Sequence, residues 1–98
     1  MRFELVYTPS AAARRDQLER DSASQKNWKA VRKTLALLET NLRHPSLNCH
    51  KFDSLSGPGG EEVFEAYAQN KTPAAFRIFW SYGPGKGRIT VIAITPHP

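Results

Sequence analysis

The stretch AAFRIFWSYG, residues 74–83, decides how this chain folds. Phe76, Ile78 and Trp80 recur at every second position, the signature of the buried face of a β-strand. Arg77 stands between Phe76 and Ile78 and must therefore point to the opposite face. A charge in the middle of the most apolar run asks for a partner, and the neighbouring strands are the place to look.

Outward from this strand, everything after Pro45 keeps a period of two. SLNCHKFD (46–53) reads as a strand and SLSGPGGEE (54–62) as a Gly/Pro loop. VFEAYAQ (63–69) is a further strand, NKTP a turn, PGKG (84–87) another turn, and RITVIAIT (88–95) the last strand. Connections of hairpin length predict an antiparallel meander.

Upstream, RFELVY (2–7) alternates as a strand. Thr8 is an N-cap with Pro9 at the first helical position, where its missing N–H costs nothing. SAAARRDQLERD (10–21) predicts a helix with few large apolar residues, one that covers the core thinly. Ser22 or Ser24 caps the next helix, QKNWKAVRKTLALLETNL (25–42). Its Trp28, Val31, Leu35, Leu38 and Leu42 form one apolar stripe at helical spacing. Pro45 closes it, with His44 as a C-terminal cation on the helix dipole. The order β-α-α-β-β-β-β predicts an α+β fold: a single antiparallel-rich sheet with an N-terminal helical hairpin packed on one face, residues 1–98 forming one domain.

No apolar run approaches the roughly 20 residues of a membrane-spanning helix, so no membrane partner is expected. The N-terminus lacks the basic and apolar regions of a secretory signal, which points to the cytoplasm. Cys49 is the only cysteine and excludes an intrachain disulfide or a cysteine-based zinc site. The net charge of +5 favours polyanionic partners such as RNA, DNA or an acidic protein segment. Lys26, Lys29, Arg32 and Lys33 lie mostly off the apolar stripe of the second helix; their ordinary meaning is a solvated face, and the functional alternative is contact with nucleic acid.

If strands 63–69 and 75–82 pair about a turn centred near Lys71, Glu65 lies directly across from Arg77. Phe64, Ala66 and Ala68 then face the core with Phe76, Ile78 and Trp80, and Glu65, Tyr67, Arg77 and Phe79 share the other face. A cross-strand Glu–Arg pair accounts for the central arginine structurally, and a carboxylate can also hold a guanidinium ready for phosphate. In CHKF, Phe52 is the expected core residue, which turns Lys51 toward the polar face and leaves His50 inward or at an edge. The 3 histidines have no metal-ligand spacing, and no metal is expected. GPGG and GPGKG lead into strands rather than helices, so they are hairpin connections and not phosphate loops.

Taken together, NLRHPSLNCHKFDSLSG, EVFEAYAQ, AAFRIFWSY and RITVIAITPH resemble in order and spacing the motifs of the RelE/ParE superfamily, the toxins of bacterial toxin–antitoxin pairs. The resemblance implies a cognate antitoxin as partner and one of two activities. RelE-like members cut mRNA on the ribosome; ParE-like members inhibit DNA gyrase without being nucleases. For the nuclease it implies metal-independent attack of a ribose 2′-hydroxyl on the adjacent phosphate, with no cofactor. Carried over by position, Arg77 would hold the scissile phosphate. Lys51 and His50 would supply charge or proton transfer, Glu65 would orient Arg77 or act as base, and His97 would be acid or base. Lys51, Tyr67 and Arg77 would contact RNA, with Lys29, Arg32 and Lys33 as further basic contacts. Tyr67 stands where many nuclease members carry an arginine, and the chain stops at Pro98 without the extension that often brings a tyrosine over the site. Both departures fit a catalytically idle RNA- or protein-binding member of the same fold.

Overall fold

The apolar stripe of the second helix supplies most of one wall of the core, with Val31, Leu35 and Leu38 almost fully buried. In a computed structural model, which describes residues 2–70 and 74–96, this helix is α2, Gln25–Thr40. It is preceded by β1 (Glu4–Tyr7), α1 (Pro9–Arg20) and a short 3₁₀ turn, Ser22–Ser24. After α2 come a second 3₁₀ turn (Pro45–Leu47), then β2 (His50–Ser56), β3 (Glu62–Tyr67), β4 (Phe76–Tyr82) and β5 (Arg88–Pro96). The expected element order therefore holds, and α1 is as thin as its composition suggests, burying only Ala11 and Leu18.

The five strands form one sheet in the order β1-β5-β4-β3-β2. β2 to β5 are the antiparallel meander, while β1 runs parallel to β5 at the far edge. The helical pair is the crossover that carries the chain from one edge of the sheet to the other, and it covers one face. On that face Ala66, Ile78 and Trp80 pack against Val31, Leu35, Leu38 and Leu47.

Thr8 ties three elements together. Its hydroxyl accepts from Ala11 N at 3.2 Å as the N-cap of α1 and donates to Ile92 O at 2.7 Å. Ile92 is the extra residue of a bulge: Phe79 pairs with Ala93 but Trp80 with Val91. The bulge shifts the alternation by one, so Ile89, Val91 and Ile94 all enter the core.

Four local expectations are corrected. Asp21, not a serine, makes the side-chain cap after α1, accepting from Ala23 N at 3.0 Å; Ser24 occupies the α2 N-cap position and makes no cap bond to that helix. His44 lies beyond the end of α2 and caps the second 3₁₀ turn, its Nδ1 accepting from Ser46 N at 3.1 Å. Strand β2 starts at His50 rather than residue 46, because Pro45 opens that turn and Asn48 closes it in the left-handed region at φ 49°. The turn drops Leu47 into the core, 1% exposed, which removes any need for Phe52 there.

The last correction is to register. Tyr67 opposes Arg77 and Glu65 opposes Phe79, a slip of two residues that keeps every side chain on its expected face. The hairpin end explains it: Ala68 N and Gln69 N both donate to Phe76 O, and the Gln69 side chain takes over as acceptor for Phe76 N at 3.0 Å. The expected turn around Lys71 lies outside the described residues.

Candidate functional site

The face of the sheet away from the helices carries the buried charged residues, Glu65 and Arg77. Residue alternation puts Glu65, Tyr67, Arg77 and Phe79 there, and the pairing of His50 with Glu65 adds His50. This face has a partial lid of its own. Between Lys51 and Ser56 four residues of β2 stand opposite the single residue Val63, a wide bulge. Phe52, at its start, packs on Phe79 with ring centres 4.8 Å apart. At its end Gly57 comes so close that a Cβ would sit 3.3 Å from Ser81 Oγ.

Under this lid the side chains form a line. His50 Nε2 lies 2.7 Å from Glu65 Oε1, and Glu65 Oε2 lies 3.8 Å from Arg77 Nε. The Glu65 and Arg77 side chains are 5% and 9% exposed, whereas that of His50 is 47% exposed. A buried carboxylate thus connects a buried cation to an imidazole that meets solvent. Arg77 Nη1 donates to Gln69 O at 2.6 Å and reaches Phe76 O at 3.3 Å, so its tip fastens the open end of the β3–β4 hairpin. Tyr67 covers the guanidinium, with Arg77 Cζ 3.8 Å from the ring centre, a cation–π contact across the strand pair. Arg77 Nε is buried and has no hydrogen-bond partner. The arginine in the apolar strand therefore has Glu65 as its charge partner, as expected, but diagonally rather than directly opposite.

His50 sits between two acceptors. Nε2 faces the Glu65 carboxylate and Nδ1 faces Asn48 O at 3.1 Å. Both contacts are hydrogen bonds only when both ring nitrogens carry protons. The Tyr67 ring meets the imidazole edge-on, centres 5.6 Å apart, so His50, Tyr67 and Arg77 hold each other in place.

Lys51 does not join this line. Register puts it opposite Phe64, on the helix side of the sheet, and not on the polar face as alternation from a buried Phe52 had implied. The early start of the turn at Pro45 and the burial of Leu47 shift the frame by one. Lys51 Nζ is held 3.0 Å from Glu62 and 3.8 Å from Asp53, and the hydrogen bond to Glu62 pushes its pKa up. Lys29, Arg32 and Lys33 are exposed on α2, with the sheet between them and His50. Arg32 and Lys29 instead flank a groove with Trp28 and Glu19. His97 lies outside the described residues. Among the described residues no cluster of His, Cys, Asp and Glu could hold a metal ion, and no helix is long and apolar enough to cross a membrane.

Sequence reasoning missed Phe52, Asn48 and Gln69 as parts of this site. Phe52 is placed by the bulge in β2, Asn48 acts through its carbonyl, and Gln69 acts through both its carbonyl and its side chain at a hairpin end; none of these has a periodic signal in a sequence.

No protein-family model and no curated protein sequence matches this chain. The element order, the mixed five-stranded sheet and the helical crossover are those of the RelE/ParE toxin fold. Three solved structures share it. A YoeB/ParE toxin from Agrobacterium tumefaciens aligns with a TM-score of 0.68 and 14% identity, over 98% of this chain and 100% of that one. The archaeal RelE–RelB complex from Pyrococcus horikoshii OT3 gives 0.63 and 13%, over 98% and 96%. The YoeB dimer from Staphylococcus aureus gives 0.64 and 12%, over the whole of both chains. At this level of identity the likeness is one of fold.

Proposed function

We propose that this chain is the toxin of a toxin–antitoxin pair, held in check by a cognate antitoxin in the cytoplasm, and that it cleaves mRNA on the ribosome without a metal. The single observation that carries the reading is the 2.7 Å contact between a half-exposed His50 and a buried Glu65. In such a cleavage the ribose 2′-hydroxyl attacks the neighbouring phosphate and the 5′-oxygen leaves with a proton. Glu65 fixes the imidazole through Nε2, and the departing 5′-oxygen takes the place of the Asn48 carbonyl at Nδ1, from which it receives its proton. A positioned acid of this kind contributes about 10²–10⁴-fold. Arg77 lends positive charge from behind Glu65, and His97 is the proposed base. The RelE–RelB complex among the fold neighbours supports the antitoxin.

One observation favours a second reading. Arg77 lies beneath Tyr67 with its Nη1 on the Gln69 carbonyl, so it meets a phosphate only after Tyr67 lifts away. A non-catalytic toxin, acting by binding gyrase or another macromolecule, needs no such movement.

The test is cell-free translation of a reporter mRNA with primer extension, comparing wild type, His50→Ala, Arg77→Ala and Lys51→Ala with and without ribosomes. Circular dichroism confirms that each variant folds. Ribosome-dependent cleavage inside the reading frame, reduced at least about a hundredfold in His50→Ala, is the expected result. Intact message with normal translation overturns the nuclease reading, and loss of DNA supercoiling by gyrase in its place supports the second.

A further inference from the structure

The helix side of the sheet is not fully covered. α2 ends at Thr40, and beyond its last turn a cavity of about 640 Å³ opens against β3 and β4. Aromatic rings make its wall. Phe64 and Trp80 stack with centres 4.9 Å apart at 27°, and Tyr82 meets Trp80 edge-on at 5.0 Å. Tyr82 is 49% exposed, one of only two large apolar side chains described as exposed. Leu42 and Phe3 close the sides.

Cations occupy the rim. Arg43 is exposed and, among the described residues, has no acidic partner. Lys51 is also exposed, though its charge is shared with Glu62 and Asp53. His50 borders the cavity as well as ending the Glu65 line. Asn41 adds an amide able both to donate and to accept.

We propose that this cavity holds a base of single-stranded RNA next to the phosphate that His50 serves. The inference rests on the ribonuclease reading and supplies its binding subsite. An exposed aromatic face beside a basic rim, here Tyr82 beside Arg43, is the combination that single-stranded nucleic acids use, since every base offers a π-face and every linkage a negative charge. An aliphatic anchor from a protein would need the apolar wall but not the basic rim. Trp80 is 2% exposed and backs Phe64, so the ring open to a base is Tyr82; stacking on it tolerates any base, and the subsite grips the strand without selecting a sequence. The dyad and the cavity meet at His50, and a base bound beyond the end of α2 therefore carries its phosphate over the β2 edge toward the imidazole.

The chain has 2 tryptophans, which makes the test direct. Trp80 lines this cavity; Trp28 lies in the separate groove on the helices. Each indole N–H gives its own signal in a ¹H–¹⁵N spectrum of the full chain. Uridine and adenosine 5′-monophosphates are titrated in, with ribose 5-phosphate as the control without a base. The expected result is a saturable shift of the Trp80 signal with both nucleotides, no shift with ribose 5-phosphate, and a still Trp28. Tyr82→Ala should weaken nucleotide binding about tenfold, the order expected for one lost stacking ring. Arg43→Ala, on the exposed rim, should weaken binding of a short RNA strand while the fold is kept.

A response confined to Trp28, an equal response to ribose 5-phosphate, or unchanged affinity in Tyr82→Ala overturns the proposal. So does a Trp80 shift caused by a leucine- and glutamate-bearing helical peptide where nucleotides cause none; the cavity would then belong to a protein partner. Cleavage of message with a silent Trp80 rejects the subsite alone. A nucleotide-responsive Trp80 without any cleavage rejects the ribonuclease reading and keeps the subsite.

Discussion

Ile78 and Trp80 lie beneath the helices, while Arg77 and Phe79, each one residue away, lie on the other side of the same strand. All four are buried, but for different reasons. On the helix side the covering is apolar, and Val31, Leu35 and Leu38 fill the space with contacts that have no preferred direction. On the far side the cover is a bulged edge strand and two aromatic rings, and burial depends on a directed chain from His50 through Glu65 to Arg77. An apolar face tolerates a change of shape at graded cost. A buried charged face loses its balance when one partner goes.

The comparison can be broken first on the apolar side. Trp80→Ala removes the largest fully buried side chain and should cost about 3–5 kcal/mol in urea unfolding. A loss below about 1 kcal/mol would mean that Trp80 is not packed as a core residue. On the polar side, Arg77→Leu leaves the Glu65 carboxylate buried with His50 alone. It should cost about 3 kcal/mol, at the low end for a broken buried pair because His50 still compensates. Adding Glu65→Gln to Arg77→Leu should recover part of that loss; strictly additive losses in the double-mutant cycle would show that the two residues are not coupled.

Smaller effects sharpen the picture at the seam between the layers. Thr8→Ala removes both the α1 cap and the donor to the bulged Ile92 carbonyl, and about 1–2 kcal/mol should be lost in the same assay. Thr8→Ser, which keeps both bonds, should restore most of it. Finally, partial desolvation pushes the Cys49 thiol above its ordinary pKa. Less thiolate is then present near pH 8, so iodoacetamide should modify Cys49 more slowly than a free cysteine and catch up only at higher pH. Equal rates at pH 8 would show that the thiol keeps its ordinary pKa.

The legible part of the fold was periodic. The stripe from Trp28 to Leu42 gave α2, alternation around Arg77 gave β4, and Thr8-Pro9 gave the start of α1. The candidate site was legible in identity rather than arrangement. Glu65 and Arg77 are paired, but the Gln69 side chain substitutes for a backbone partner at the hairpin end and moves the register by two residues. His50 and Lys51 exchanged faces because a 3₁₀ turn at Pro45 delayed the strand, and short turns carry no periodicity from which a frame could be counted.

The sequence by itself determined which residues face the core on α2 and β4, because burial of apolar side chains follows from spacing along one unbroken helix or strand. It also determined the number and order of the elements and the positive charge. Only the tertiary structure decided that β1 closes on β5, that Phe52 covers Phe79, that Glu65 reaches both His50 and Arg77, and that Tyr82 beyond α2 stays open. Those outcomes depend on where separate segments end and how closely they approach. They arise from steric fit and directed hydrogen bonds between distant parts of the chain, which no local pattern encodes.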